Sequence, residues 1–303
     1  MLRIATFNLK DFFDPRAPEE EHIVGTKRAH VAERLSLAGA DVVALQEVAS
    51  DQLIEGLVGR ELASLGYQPP LFGPRDKRGI GCALLSRLPV IESKVFASYQ
   101  LPFPRLVDSD PEPFPNRIPL RRGVVQLTVD AGPLGHVDVI TVHFKSKLGA
   151  PMRNEAGEPF IDGSAVGRGE AALRSLISRS AEALHLRRLL DGLIATPGRK
   201  VCALGDFNDT VASLPLQIVL GVGAAPEAAF SSCLELVPQD RRFSVLHRGE
   251  RELIDQILVS AGLSPHLRAA NIDNAALRDH GPHEPDAPLA PDSDHALASA
   301  DFE

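Results

Sequence analysis

Tryptophan is absent from this 303-residue chain and tyrosine occurs only twice. That scarcity argues against a flat aromatic platform on which single-stranded bases stack. The three cysteines, Cys82, Cys202 and Cys233, are odd in number and scattered. They show no zinc spacing and argue against a disulfide framework. Cys82 and Cys202 stand in apolar runs, where a thiol serves as a small buried hydrophobe. No apolar run reaches bilayer-spanning length. Nor is there an excess of positive charge: 32 Lys and Arg against 40 Asp and Glu give a net charge of -8. That balance argues against a broad basic face that grips nucleic acid non-specifically, although a few arginines or a divalent cation could still neutralise phosphates locally. No membrane association and no obligate protein partner is expected. Because Met1-Leu2-Arg3-Ile4 already leads into a strand pattern, a cytoplasmic location is the expectation unless a leader was removed.

Forty-four per cent of the residues are hydrophobic, ample for a sizeable core. Residues 3–9 read as an opening strand. Thr26 predicts a helix start, with the helix running to Ala38 and stopped by Gly39. Residues 41–46 are almost wholly apolar, the pattern of a strand buried on both faces. Ser50 is placed to cap a second helix striped by Leu53, Ile54, Leu57, Val58, Leu62 and Leu65 and closed by Gly66. Strands are expected at 81–85, 90–97, 124–129, 137–141, 200–204, 243–246, 253–259 and 297–302. The proline-rich stretch 101–119 predicts an irregular loop. Residues 147–168 lack periodicity and predict a long loop insertion. A long helix follows, carried by Leu173, Leu176, Ile177, Leu184, Leu189, Leu190 and Leu193. With no repeat and no dividing linker, residues 1–303 read as one mixed α/β domain.

Polar clusters sit where these apolar segments end. Glu47, directly after a buried strand, is poorly solvated unless a cation meets it, and Mg²⁺ prefers such a carboxylate; pairing with an arginine or capping a helix are the plainer alternatives. In Gly205-Asp206-Phe207-Asn208-Asp209, Asp206 and Asn208 stand two apart and would share a side of an extended segment. The carboxylate could then take a proton from water while the amide holds a phosphate oxygen; Asp209 could cap a following helix. Asp294 and His295 are adjacent, so their side chains should diverge, and Asp255, alone in an apolar strand, is the candidate to orient His295. A histidine so held can stay protonated and stabilise phosphate charge. His143, beside Lys145 and Lys147, reads as an anion site, with Arg117, Arg121 and Arg122 as a second basic cluster. Asp76 is nominated to orient His143. His280, His283 and Asp286 could hold a metal, but their Pro-rich setting reads as a loop.

In order along the chain, Thr6-Phe7-Asn8, Leu45-Gln46-Glu47, His143, Gly205-Asp206-Phe207-Asn208, Ile254-Asp255 and Ser293-Asp294-His295 resemble the motifs of the endonuclease/exonuclease/phosphatase family. The resemblance covers essentially the whole chain. It implies a DNase I-like four-layer sandwich, two mostly antiparallel β-sheets flanked by helices, with the site at one end. It further implies that Asn8, Glu47 and Asp294 hold Mg²⁺ or Mn²⁺, that Asp206 activates water and that Asn208 positions the phosphate. Asp255 would orient His295, and His143 would assist the leaving group. Arg117-Ile118-Pro119 is similar to a segment of the DNase I branch, so Arg117 joins Lys145 and Asn208 as expected phosphate contacts. The chain departs from the Asn-x-Asp of exonuclease III-type members, having Lys10 at the second position and Asp11 one further on. The implied activity is metal-dependent phosphodiester hydrolysis, with DNA the expected substrate and partner. A small-molecule or lipid phosphoester is the alternative, and a non-catalytic binder on the same fold ranks behind both.

Overall fold

The computed structural model describes residues 1–97, 99–281 and 289–303. In chain order its strands are β1 (Leu2–Phe12), β2 (Val42–Val48), β3 (Leu71–Phe72), β4 (Gly81–Ser86), β5 (Val90–Phe96), β6 (Val124–Asp130), β7 (His136–His143) and β8 (Met152–Arg153). Then follow β9 (Pro159–Phe160), β10 (Lys200–Asp206), β11 (Phe230–Ser232), β12 (Val245–His247), β13 (Glu250–Glu252), β14 (Asp255–Ser260), β15 (Leu267–Asp273) and β16 (Leu297–Phe302). The α-helices are α1 (Glu21–Ala38), α2 (Asp51–Gly59), α3 (Ala165–Ile194) and α4 (Leu214–Leu220).

Two six-stranded sheets carry the fold, in the orders β15-β16-β1-β2-β4-β3 and β11-β14-β10-β7-β6-β5. Each holds a single parallel pair, β1 with β2 and β7 with β10; their other pairings are antiparallel. The facing sheets enclose one apolar core. It includes Ile4, Val42, Ala44 and Leu84 from the first sheet and Val125, Leu127, Val139, Leu204 and Ile257 from the second. On the outer side of the first sheet, Phe7, Val43 and Leu45 pack with Val31 and Leu35 of α1 and Ile54 and Leu57 of α2. Beyond the second sheet, Ile140, Val142, Val201 and Ala203 pack with Leu186 and Leu190 of α3 and Leu216 and Val219 of α4. The result is the expected pair of mostly antiparallel sheets flanked by helices.

Several local expectations are corrected. Helix α1 begins at Glu21, and Thr26 lies inside it, its hydroxyl donating to His22 O. Gly39 closes that helix in the left-handed conformation. Ser50 caps α2 by accepting from Leu53 N at 3.2 Å. The stripe expected to reach Leu65 breaks, however: α2 ends at Gly59, and Ala63–Leu65 form a separate 3₁₀ turn. Residues 147–168 are not structureless. They contain the β8–β9 hairpin and the first turn of α3, capped by Ser164. Two-residue strands are too short to show alternation, and Gly167 and Gly169 lower the helical signal of that first turn. His283 and Asp286 lie outside the described residues.

Candidate active site

Alternation along the strands delivers the site. Successive strand side chains point to opposite faces. Leu2 and Ile4 of β1 face the inter-sheet core, and continuing by twos brings Thr6 and then Asn8 to the same face. The same count along β10 runs Cys202, Leu204, Asp206; along β7 it runs Val137, Val139, Thr141, His143; and along β14 Asp255 precedes Ile257 and Val259. Register then aligns them: Asp206 is paired with Asp255 on one side and His143 on the other, and Asn8 stands beside Gln46. The polar cluster is thus one end of the inter-sheet core. Just beneath it, Thr6 Oγ1 donates to Gln46 Oε1 at 3.1 Å and Gln46 Nε2 donates to Thr141 Oγ1 at 3.1 Å, a buried link between the sheets.

Backbone exceptions bring in what alternation does not. By parity Glu47 would face α1 and α2, but its φ of 59° turns it into the cleft. Opposite it, Asn8 pairs with Gln46 and Phe12 with Val48, so four steps on β1 match two on β2 and the extra residues bulge outward. Lys10 and Asp11, both at φ 48°, form that bulge. Asn208 is not extended either: at φ 54° it turns back, its N–H donating to Asp206 Oδ1 at 2.8 Å. Six described non-glycine residues have positive φ, and four of them, Lys10, Asp11, Glu47 and Asn208, line this cleft. Such strain costs of order 1–3 kcal/mol per residue and concentrates at functional sites.

His295 and Asp255 form the tightest pair, with Nδ1 2.8 Å from Oδ2. Burial opposes the imidazolium, but the charge and hydrogen bond of Asp255, followed by the charges of Asp206 and Asp294, raise the pKa to about 10. His295 is therefore protonated at neutral pH. Asp206, wholly buried, is pushed up to about 7 by burial and then by Asp255, against the lowering effects of His295, Asn208 N and Asn8. Its Oδ2 accepts from Asn8 Nδ2 at 2.9 Å and Asn208 Nδ2 at 3.0 Å, with His143 Nε2 at 3.3 Å. Burial, followed by the charge of Arg122, holds His143 well below the usual histidine range. It is a neutral imidazole whose Nε2–H can donate to Asp206. Asp294 does not diverge fully from His295: its Oδ1 lies 4.0 Å from His295 Nε2, an ion-pair contact without a hydrogen bond, while its Oδ2 binds Lys10 Nζ at 2.6 Å.

The structure brings Asn8, Glu47, His143, Asp206, Asn208, Asp255, Asp294 and His295 into this one cluster, and all but Asn8 and Asp255 line a cleft of about 230 Å³. Lys145 and Arg117 are placed elsewhere. The Lys145 ammonium folds back onto the Ser146 and Leu148 carbonyls, and Arg117 is exposed in the loop after Phe114. Asp76 does not reach the His143 ring; it binds Arg122 at 3.1 Å, and Arg122 in turn donates to the His143 and Phe144 carbonyls. Asp209 caps no helix but pairs with Arg179 at 2.8 Å, and Ser213 caps α4 instead. Among the described residues the lysines and arginines of the cleft wall are Lys10, Arg78, Arg122 and Lys147. Of these, the Arg78 guanidinium binds Asp11 at 2.9 Å, and Asp11 N holds Glu47 Oε2 at 2.8 Å. Nothing in the local sequence announces Arg78, because its partner lies 67 residues away.

A divalent cation fits the donors present. Glu47, Asn8, Asp206 and Asp294 offer oxygen ligands of the kind Mg²⁺ takes, and Asp294 Oδ1 is buried without a hydrogen-bond partner among the described residues. Asp206, Asp255 and His295 also present ligand atoms within 4.8 Å of one another. In that trio a protonated His295 has no lone pair to give, so the oxygen donors suit a cation better while His295 keeps its proton.

A family model described as Endonuclease/Exonuclease/phosphatase family matches residues 5–295. The chain belongs to this family. Endonuclease/exonuclease/phosphatase proteins are phosphoester hydrolases, typically dependent on a divalent metal, and the chain is such an enzyme. No curated protein sequence matches it. Among solved structures it is similar to the 3′ phosphatase NExo from Neisseria bound to a product DNA hairpin, at 19% identity and TM-score 0.59 over 100% of both chains. An AP endonuclease from Archaeoglobus fulgidus matches at 17% identity and TM-score 0.58, again over 100% of both chains. A family member from Bacteroides vulgatus matches at 19% identity and TM-score 0.60, over 100% of this chain and 98% of the other. These likenesses establish the DNase I-like fold.

Proposed function

We propose that the protein is a Mg²⁺- or Mn²⁺-dependent phosphodiester hydrolase that cuts DNA internally. The observation that carries this reading is a base and an acid in one buried cluster. Asp206, with its pKa raised to about 7, stands beside a His295 that Asp255 keeps protonated. A general base poised near neutrality takes a proton from water most efficiently. Asp206 Oδ1 accepts only from Asn208 N among the described residues, which leaves a lone pair for the attacking water's proton. The His295 imidazolium then donates to the non-bridging oxygen on which charge grows, and Asp255 holds the ring through Nδ1. His143 supports the departing oxygen, and Asn208, anchored on Phe144 O at 3.0 Å, fixes the position of Asp206. Glu47, Asn8 and Asp294 Oδ1 would hold the divalent ion, which when bound supplies Lewis-acid stabilisation of the phosphoryl oxygens. DNA is favoured because the similar structures include an enzyme bound to a DNA hairpin and an AP endonuclease.

One observation favours a second reading, a small phosphodiester. All four lysines and arginines that line the cleft among the described residues are already matched by carboxylates: Lys10 by Asp294, Arg78 by Asp11, Arg122 by Asp76 and Lys147 by Glu252. The test compares plasmid DNA, bis(p-nitrophenyl) phosphate and p-nitrophenyl phosphate, each with Mg²⁺, Mn²⁺ or EDTA. Nicking of the plasmid is expected, and diester cleavage without nicking would move the assignment to the second reading. EDTA and Asp206→Ala should each abolish turnover, the substitution by roughly a thousandfold or more. Full activity in EDTA would remove the metal from the reading.

A further inference from the structure

Lys10 stands where the chain departs from the Asn-x-Asp pattern, and its surroundings are those of a fixed cation. Its ammonium is 2.6 Å from Asp294 Oδ2 and 3.0 Å from His280 Nδ1. An ammonium has no acceptor, so Nδ1 of His280 must accept, and the ring's proton sits on Nε2, 3.3 Å from Asp292 Oδ1. A neutral histidine thus accepts from the lysine, and Asp292 Oδ1 lies near its other nitrogen without receiving a hydrogen bond among the described residues. The lysine side chain is only 21% exposed. Its backbone is left-handed, as is that of Asp11 next to it, within the bulge that separates Asn8 from Phe12. A left-handed lysine is disfavoured without compensation; here the strained residue is held by its ion pair with Asp294 and its contact with His280.

From this geometry we infer that the Lys10 ammonium is a resident cation standing in for a second divalent ion, so that the site takes one ion and not two. The inference rests on the metal-dependent reading above. Asp294 has two oxygens. Lys10 occupies Oδ2, which leaves Oδ1 as the oxygen that would help Glu47 and Asn8 hold an ion. A second divalent ion on the outer side of Asp294 would have to displace the ammonium or sit against it, and like charges held at such short range repel. His280, which joins no candidate metal group among the described residues, acquires a role as the residue that positions Lys10.

Mn²⁺ binding to the full chain without substrate tests this, with free Mn²⁺ read by electron paramagnetic resonance during titration. Wild-type protein is expected to bind one ion. Lys10→Asp and Lys10→Met, which remove the ammonium from Asp294, should each gain a second, and Lys10→Arg should keep one. Two ions on the wild type would overturn the inference, as would a single ion on both Lys10→Asp and Lys10→Met. Wild-type protein that binds no Mn²⁺ would instead overturn the metal reading itself, so the two failures are distinguishable.

Discussion

His295 owes its charge to its neighbours, and that dependence can be read in stability. Its folded pKa, raised to about 10 by Asp255 against the opposing effect of burial, lies above the unfolded value of about 6.5. The charged pair therefore stabilises the fold fully below about pH 6.5, and its contribution is lost as pH rises through 10. Wild type should exceed His295→Gln in urea stability by about 1 to 3 kcal/mol at pH 6.5, with the margin shrinking by pH 9.5. A margin constant across that range would mean the pair is not ionised as described. At this scale the sequence was informative where chemistry follows strand order. Asn8, Asp206, Asp255, His143 and His295 are all legible as polar residues at the ends of apolar strands. Lys145 and Arg117 read equally well as phosphate contacts, yet the Lys145 ammonium turns to backbone carbonyls and Arg117 to solvent. The direction of a long flexible side chain depends on partners that no local pattern encodes.

Among the elements, β10 is the most constrained. Gly205 sits between Leu204 and Asp206 with φ 138°, and a Cβ there would stand 2.1 Å from Val142 O on β7. Close approach of the two parallel strands is what sets Asp206 beside His143. Gly205→Ala should destabilise by about 2 to 4 kcal/mol and lower activity in the protein that still folds. Thermal melting together with turnover would check it, and an unchanged Tm would show that the strands can part at little cost. Helix α3 shows why element reading succeeds only in part. Its leucine spacing is plain, but its buried side also carries Arg179 and Glu182, which hold Asp209, Lys145 N and the Lys145 and Ser146 carbonyls. Those buried charges anchor the segment after β7, a tertiary duty invisible to periodicity. The strands β11 and β15 are not legible in the sequence for different reasons: the first has three residues, and the second is exposed or half-buried at every position but Ile272 and so lacks apolar alternation.

Over the whole molecule, a net charge of -8 and a cleft wall of paired cations leave little surplus positive potential. Duplex binding should then release few counterions. A plot of log affinity against log salt is expected to have a slope of about -1 to -3, as for about one to three neutralised phosphates. A slope near -6 or steeper would reveal an extended basic track. The global architecture was the most legible part of the chain, because the order of motifs along 303 residues matches a family whose model spans residues 5–295. What order could not supply is the left-handed turn that swings Glu47 inward against its parity, or the bulge at Lys10 and Asp11, since left-handed residues of these types carry no compositional mark.

The clustered polar groups are divided between two slabs that meet through side chains and, beside His295, through a backbone bridge to Val245. Asn8 and His295 belong to one slab and Asp206 and Asp255 to the other, so both contacts that complete the cluster cross the gap. Neither half of the molecule holds a working set alone. Under the proposed assignment of base and acid, shear between the slabs of about an ångström, too small to disturb either β-ladder, would part Asp206 from Asn8 and Asp255 from His295 and leave a protein that is fully folded and inert.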